Sequence, residues 1–169
     1  MTEPDDPTLP GLLGRFQLTT MELREFRRTD TEATLAKVHL LTGAAIFFNT
    51  AVVADYGGRP GTTRGLALIE QVIGAAFQSY AGEDPHPTVF DKAAMLLRGI
   101  TAGHPFQDGN KRTGFLLAAY YLDLMGYTFP SEFNVDGAEA LSRRVFAGEL
   151  RDVSHIAAEL MRLWSGRSG

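Results

Sequence analysis

Apolar residues recur at intervals of three and four along most of this chain, which is the spacing of one buried face of an α-helix. The pattern predicts helices over about 30–54, 66–80, 88–102, 110–125, 135–147 and 153–164, and a short amphipathic piece near 20–28. Thr29 and Glu32 have the capping-box spacing, and Thr88 can cap the helix that follows it. The sequence therefore predicts an all-α domain of six or seven helices.

The helix over 110–125 is expected to form the centre of the bundle. The segment Gly114–Leu122 is apolar nearly all round, as in a helix that is covered on every side. Gly103 and Gly126 are expected to end their helices. The long helix over 30–54 is expected to turn one face inward, formed by Leu35, Val38, Leu41, Ala45, Phe48 and Val52.

The ends of the chain differ from this pattern. Residues 1–28 are expected to form an N-terminal arm that is partly disordered, because its beginning is rich in proline and acidic residues and poor in large apolar ones. The pattern then indicates one domain over residues 29–165 and a short tail over 166–169.

Composition narrows the possible functions. A net charge of −4 argues against a nucleic-acid partner, since such proteins usually carry an excess of basic residues. The chain has no cysteine, its start does not resemble a signal peptide, and its apolar runs are shorter than the roughly 20 residues of a membrane span. We expect a cytoplasmic protein without a membrane partner.

Residues 104–112, His-Pro-Phe-Gln-Asp-Gly-Asn-Lys-Arg, form a polar loop that leads into an apolar helix. The first backbone N–H groups of a helix bind anions, and Arg112 and Lys111 add positive charge there. Asp108 is a ligand type that Mg²⁺ uses together with substrate phosphates, and His104 can accept a proton near neutral pH. The segment has the parts of a phosphate site.

Each of these residues also has a simpler interpretation. Asn110 could cap the helix, Asp108 could complement its dipole, and the two cations could be solvated. Five such residues within nine positions favour the phosphate site.

These nine residues resemble the signature of the Fic/Doc (Fido) family, His-Pro-Phe-x-Asp/Glu-Gly-Asn-Gly/Lys-Arg, and residues 57–61, 90–97 and 113–127 resemble the family as well. The resemblance implies a helical domain that uses ATP and Mg²⁺ to transfer a phosphate-containing group, usually AMP, to a protein hydroxyl. It implies that His104 is the general base and Asp108 the Mg²⁺ ligand. Pro105 and Phe106 would anchor the loop, and the phosphate cradle would consist of Gly109, Asn110, Lys111 and Arg112.

Two positions resemble the Doc (death-on-curing) subfamily in particular. Adenylylating members generally have glycine where this chain has Lys111, and a second arginine where it has Phe115. Doc is a kinase that phosphorylates a threonine of elongation factor Tu, so the resemblance implies γ-phosphate transfer to a protein of that kind. Adenylyl transfer and a non-catalytic binding module with this fold are the alternatives.

The resemblance also assigns the glycine-rich segment 57–65 and implies a partner. Gly57, Gly58, Arg59 and Gly61 would belong to a β-hairpin flap that docks the target peptide, although an ordinary surface loop fits the composition equally well. The family's inhibitory-helix pattern, Ser/Thr-x-x-x-Glu-Gly/Asn, is absent from the sequence. Restraint is therefore expected from an antitoxin in trans.

Overall fold

The computed structural model describes residues 17–28 and 31–165, which form seven α-helices. A 3₁₀ turn, Ala75–Phe77, continues the third helix. The predicted all-α fold is confirmed. Predictions for residues 1–16, for the capping residue Thr29 and for the tail 166–169 lie outside the described residues. The helices are α1 (Thr20–Phe26), α2 (Thr31–Tyr56), α3 (Leu66–Gly74), α4 (Val89–Gly103), α5 (Asn110–Leu124), α6 (Val135–Phe146) and α7 (Val153–Trp164).

Helix α5 is the centre of the bundle, as its apolar sequence predicts. Leu117 and Leu122 have no solvent exposure, and the ring of Tyr120 packs edge-to-face on Phe48 of α2, with 5.6 Å between ring centroids. α4 and α2 pack directly against α5, and α7 packs on α4. The body of α5 is therefore core, while its first turn begins at the polar loop.

Helix α2 turns most of the predicted face inward, and Leu35 is the exception. Leu41, Phe48 and Val52 are buried, but Leu35 is 60% exposed. Lys37 takes the inward position, about 200° further round the helix. Its stem is covered, and its ammonium donates to the carbonyl of Arg28. By length and mean hydropathy (1.4 over 18 residues) α2 could also cross a membrane, but here it packs against α1, α3 and α5.

The end of α4 also differs from the prediction. Gly103 is the last helical residue, and His104, with φ 48°, takes the left-handed conformation that ends the helix. Gly103 faces α3, where an added Cβ would lie 3.3 Å from Val72. This glycine therefore serves the close packing of two helices, and the backbone strain falls on the next residue.

The glycine-rich segment 57–65 is not the predicted β-hairpin. No strand is present in residues 17–28 and 31–165, and the segment makes one isolated antiparallel bridge, between Thr62 and Phe106. Gly57, Gly58, Gly61 and Gly65 all have positive φ, a conformation that interrupts a regular ladder. Backbone groups of the segment pair with the loop 104–109 instead of with each other: Thr63 N–H donates to Pro105, and Gln107 N–H donates to Gly61, both at 2.9 Å.

Candidate active site

His104 projects from a strained backbone position at the junction of α4 and the polar loop. Its φ of 48° is uncommon for a residue with a side chain and is typical of functional sites. The hydroxyl of Thr63 donates to the His104 carbonyl at 3.0 Å, which ties this position to the glycine-rich segment. The side chain is exposed, so its imidazole can reach a ligand from solvent.

The loop after His104 is anchored in the core. Pro105 and Phe106 are buried, as predicted. The Asn110 side chain closes the loop from both directions, because its Oδ1 accepts from Phe106 N–H at 3.0 Å and its Nδ2 donates to the Phe106 carbonyl at 2.9 Å. The amide of Asn110 is therefore engaged within the protein, and its contribution to a phosphate cradle is limited to the backbone N–H.

Asp108 joins the loop to two other elements. Its carbonyl accepts from the buried Asn49 side chain of α2 at 2.8 Å, and its Oδ2 accepts from the backbone N–H of Arg59 at 2.7 Å. Gly58 passes so close that an added Cβ would lie 2.8 Å from the Asp108 Cβ. The carboxylate is thus held in place by the glycine-rich segment, with Oδ1 left for a further ligand.

The donors around Asp108 limit the kind of metal site that fits. Within the described ranges, no group of three or more histidine and acidic side chains could enclose an ion. A single carboxylate is nevertheless a normal protein contribution to Mg²⁺, which keeps water and takes its other ligands from substrate phosphates. The residues present fit an ion carried by a nucleotide.

Helix α5 begins at Asn110 without a side-chain cap, whereas α4, α6 and α7 have capping side chains. Gly109, with φ 77°, makes the turn into the helix. The first N–H groups of a helix have no acceptor within it, and together with the helix dipole they favour an anion.

Lys111 and Arg112 flank this helix start and are both exposed. Each is held against an aromatic ring: the Lys111 Nζ lies 4.6 Å from the ring centroid of Phe146, and the Arg112 Cζ lies 4.0 Å from that of Tyr56. Two exposed cations and the uncapped first N–H groups of α5 thus lie at the same helix start, which suits a polyphosphate.

Phe115, one turn after Arg112, faces away from this surface. Its side chain is 3% exposed and packs against Phe133 and Trp164, with ring centroids 5.8 and 6.1 Å away. Phe129 completes this aromatic cluster. Adenylylating members of the family resembled by the sequence have a second arginine at this position. Here the position belongs to the apolar core.

The structure adds four residues to the predicted site residues, namely Asn49, Tyr56, Thr113 and Phe146. Asn49 also donates to the hydroxyl of Thr113, at 3.2 Å, so these two buried polar side chains fasten α2 to the first turn of α5. An amide inside the apolar face of α2 was the available signal for Asn49. Tyr56 and Phe146 gave none, because their roles depend on contacts with distant parts of the chain.

Comparison with known proteins identifies the arrangement. A profile of the Fic/DOC family matches residues 39–122, from α2 to the end of the apolar run in α5. Toxin Doc of Mycolicibacterium smegmatis is 33% identical over 121 residues, which cover 72% of this chain and 85% of the toxin. The chain belongs to the Fic/DOC family.

A second relative extends the comparison. A Fido domain-containing protein of Dictyostelium discoideum is 33% identical over 96 residues, 53% of this chain and 67% of that protein. Fic/DOC proteins are generally nucleotide-dependent transferases, and the polar loop with its helix start lies within the matched segment. The helices α6 and α7 lie beyond the segment that the family profile matches.

Proposed function

We propose that this Fic/DOC protein is a Doc-like kinase that transfers the γ-phosphate of ATP to a serine or threonine hydroxyl of a protein target. The observation that carries the proposal is the burial of Phe115 in an aromatic cluster. Adenylylating relatives have at this position a second arginine that holds a further phosphate. In this chain a buried phenylalanine occupies the position, so that arginine is missing. Lys111 also adds a side chain where those relatives generally have glycine, which leaves less room for a further phosphate on that side of the cradle.

His104 is the general base in this proposal. Its exposed imidazole accepts the proton of the target hydroxyl, while the hydroxyl oxygen forms a bond to the γ-phosphorus. The bond between that phosphorus and the oxygen bridging to the β-phosphate breaks, and ADP leaves. Proton transfer and positioning are what the protein supplies, because phosphoryl transfer requires little covalent chemistry from its catalyst.

The start of α5 holds the nucleotide phosphates. The N–H groups of Gly109, Asn110 and Lys111 line the turn, and the guanidinium of Arg112 can make a bidentate contact with a phosphate. Asp108 would hold Mg²⁺ through its remaining carboxylate oxygen, and the ion would neutralise charge on the phosphates. ATP and Mg²⁺ are thus the proposed substrate and cofactor.

The segment 57–65 is the proposed docking site for the target peptide, with Gly57, Gly58, Arg59 and Gly61 as its contact residues. Gly58 and Arg59 lie directly against Asp108. Its anchoring to His104, Pro105 and Asp108 supports this role, because a peptide lying along it would pass beside the proposed base. We propose that an extended peptide pairs with solvent-facing backbone groups of this segment, in the manner of strand addition to an exposed edge.

The similarity to Toxin Doc supports a toxin that is restrained by an antitoxin. A cytoplasmic site of action is a further part of the proposal. Segments 79–83 and 128–132 have a Ser or Thr four residues before a Glu, but neither has the Gly or Asn that completes the family's inhibitory pattern, and neither forms a helix. Elongation factor Tu, the target implied by the Doc resemblance, is the first protein to test.

ATP labelled at either the α- or the γ-phosphate separates the possible reactions. We expect γ-label on elongation factor Tu or on a target found in a lysate, and no α-label. Transfer of α-label would replace the kinase by an adenylyltransferase. A His104→Ala variant that still labels its target, or still arrests growth on expression, would remove the assignment of His104 as the base.

A further inference from the structure

Phe146 is an unusual residue for the end of a surface helix. It is the last residue of α6, and 45% of its side chain is exposed. Its position is nevertheless well fixed: the neighbouring Val145 is buried, and Gly148, with φ 75°, closes the helix by donating to the Val145 carbonyl at 3.1 Å. A large apolar ring is thus held at the surface on a rigid element.

This ring contacts two residues of the proposed active site. The imidazole of His104 packs against it with 5.1 Å between centroids and an angle of 85° between the planes. The ammonium of Lys111 lies 4.6 Å from its centroid. One side chain, 35 to 42 positions further along the chain, therefore connects the proposed base with a proposed phosphate-binding cation.

We propose that Phe146 is a positioning residue that sets the orientation of His104 and Lys111 together. The inference rests on the proposed function for the meaning of that orientation, but the residue itself lies outside the segment that defines the family here. In this proposal Phe146 acts through its two neighbours and not by contact with the nucleotide or the target.

The physical need for such a residue follows from the exposure of both neighbours. A lysine at the surface has several rotatable bonds, and fixing them costs conformational entropy whenever it meets a phosphate. Edge-to-face contact restrains the imidazole, and a cation above a ring is attracted to its π-electrons. Both side chains are thereby placed before the ligands arrive, so less ordering remains for binding and reaction.

The test compares Phe146→Leu, which keeps an apolar side chain but removes the ring, with Phe146→Tyr, which keeps the ring. We expect Phe146→Leu to lower kcat by roughly 10- to 100-fold, because a misplaced reacting group is costly. KM for ATP should rise only about 2- to 5-fold, the size of one lost cation–π contact. Phe146→Tyr should restore kcat to within about 3-fold of the wild type.

Tyr127→Leu is the matched control. Tyr127 is 43% exposed and packs against Phe90 with 4.8 Å between centroids, but it lies beyond the opposite end of α5. It reports the general effect of losing a half-exposed ring. If Phe146→Leu and Tyr127→Leu change kcat equally, the positioning role is wrong. Phe146→Met serves as the second ring-free variant if the leucine variant melts at a lower temperature than the control.

A measurement without turnover keeps this inference separate from the proposed function. The ring current of Phe146 should shift the NMR signals of the His104 ring protons and the Lys111 ε-methylene protons, and Phe146→Leu should move both. Unchanged signals would overturn the contact and the inference with it. If the wild type transfers neither label, the proposed function fails, and these signals alone decide on the placement of His104 and Lys111 by Phe146.

Discussion

Gly58 lies so close to Asp108 that adding a single methyl group at position 58 should disturb the proposed metal ligand. An alanine Cβ at position 58 would lie 2.8 Å from the Asp108 Cβ, so either the carboxylate or the glycine-rich segment has to move. The hydrogen bond from Arg59 N–H to Asp108 would be lost with it. We expect Gly58→Ala to weaken binding of Mg²⁺–ADP about 10-fold, equivalent to about 1.4 kcal/mol, as measured by calorimetry.

Gly61→Ala separates this clash from ordinary backbone strain. Gly61 has φ 100°, comparable with 121° at Gly58, but an added Cβ there would meet no atom within 4 Å. Both variants should lose about 1–2 kcal/mol of unfolding free energy for a side chain at positive φ. Only Gly58→Ala should lose nucleotide affinity. Equal affinities for the two variants would contradict the placement of Asp108 at the metal.

At the scale of the element, the first turn of α5 is the proposed anion site and the rest of the helix is core. Phe115 lies where the two parts meet, so substitutions there show to which part it belongs. Replacing this 3%-exposed ring by arginine would place a charge among Phe133 and Trp164. We expect Phe115→Arg to cost about 3 kcal/mol or more, because no partner there compensates the desolvated charge. It should lower the melting temperature by roughly 6–12 °C and should not produce transfer of the α-label.

Phe115→Leu, which keeps the position apolar, should cost only about 1–1.5 kcal/mol and leave γ-label transfer in place. A stable Phe115→Arg protein that transfers AMP would place residue 115 at the phosphates instead of in the core. The preference for a kinase would then depend on that one side chain.

Structural features that depend on neighbouring residues within one helix are the ones that the sequence predicts correctly. The cap at Thr88 and the stripe of Phe90, Ala94, Leu97 and Ile100 are local, and the structure contains both as predicted. On α2, Leu35 is exposed and Lys37 is buried. The spacing of apolar residues predicts which side chains share a face, but not which part of that face meets another helix. The same limit applies to the site: the polar loop is contiguous and recognisable, whereas the contacts of Asn49 and Phe146 join residues 59 and 42 positions apart.

At the scale of the molecule, the nucleotide site and the core share one helix, so binding should stabilise the whole fold. The first turn of α5 faces the proposed ligand, and its remaining turns lie at the centre of the bundle. A ligand at 100 times its Kd adds about 2.7 kcal/mol to the unfolding free energy. For a domain of this size we expect Mg²⁺–ADP to raise Tm by about 5–10 °C, measured by differential scanning fluorimetry.

Two variants assign this stabilisation to its parts. Asp108→Asn keeps an oxygen for the N–H of Arg59 but removes the charge, so the additional Tm rise caused by Mg²⁺ over ADP alone should disappear. His104→Ala should retain most of the nucleotide-induced rise, because the proposed base acts on the target hydroxyl and not on the bound phosphates. Loss of the rise in His104→Ala, with the rise kept in Asp108→Asn, would reverse the roles assigned to these two residues. The Mg²⁺ ion would then have to lie at another position in the loop, because the rise in Tm depends on the side chains that contact the nucleotide and its ion.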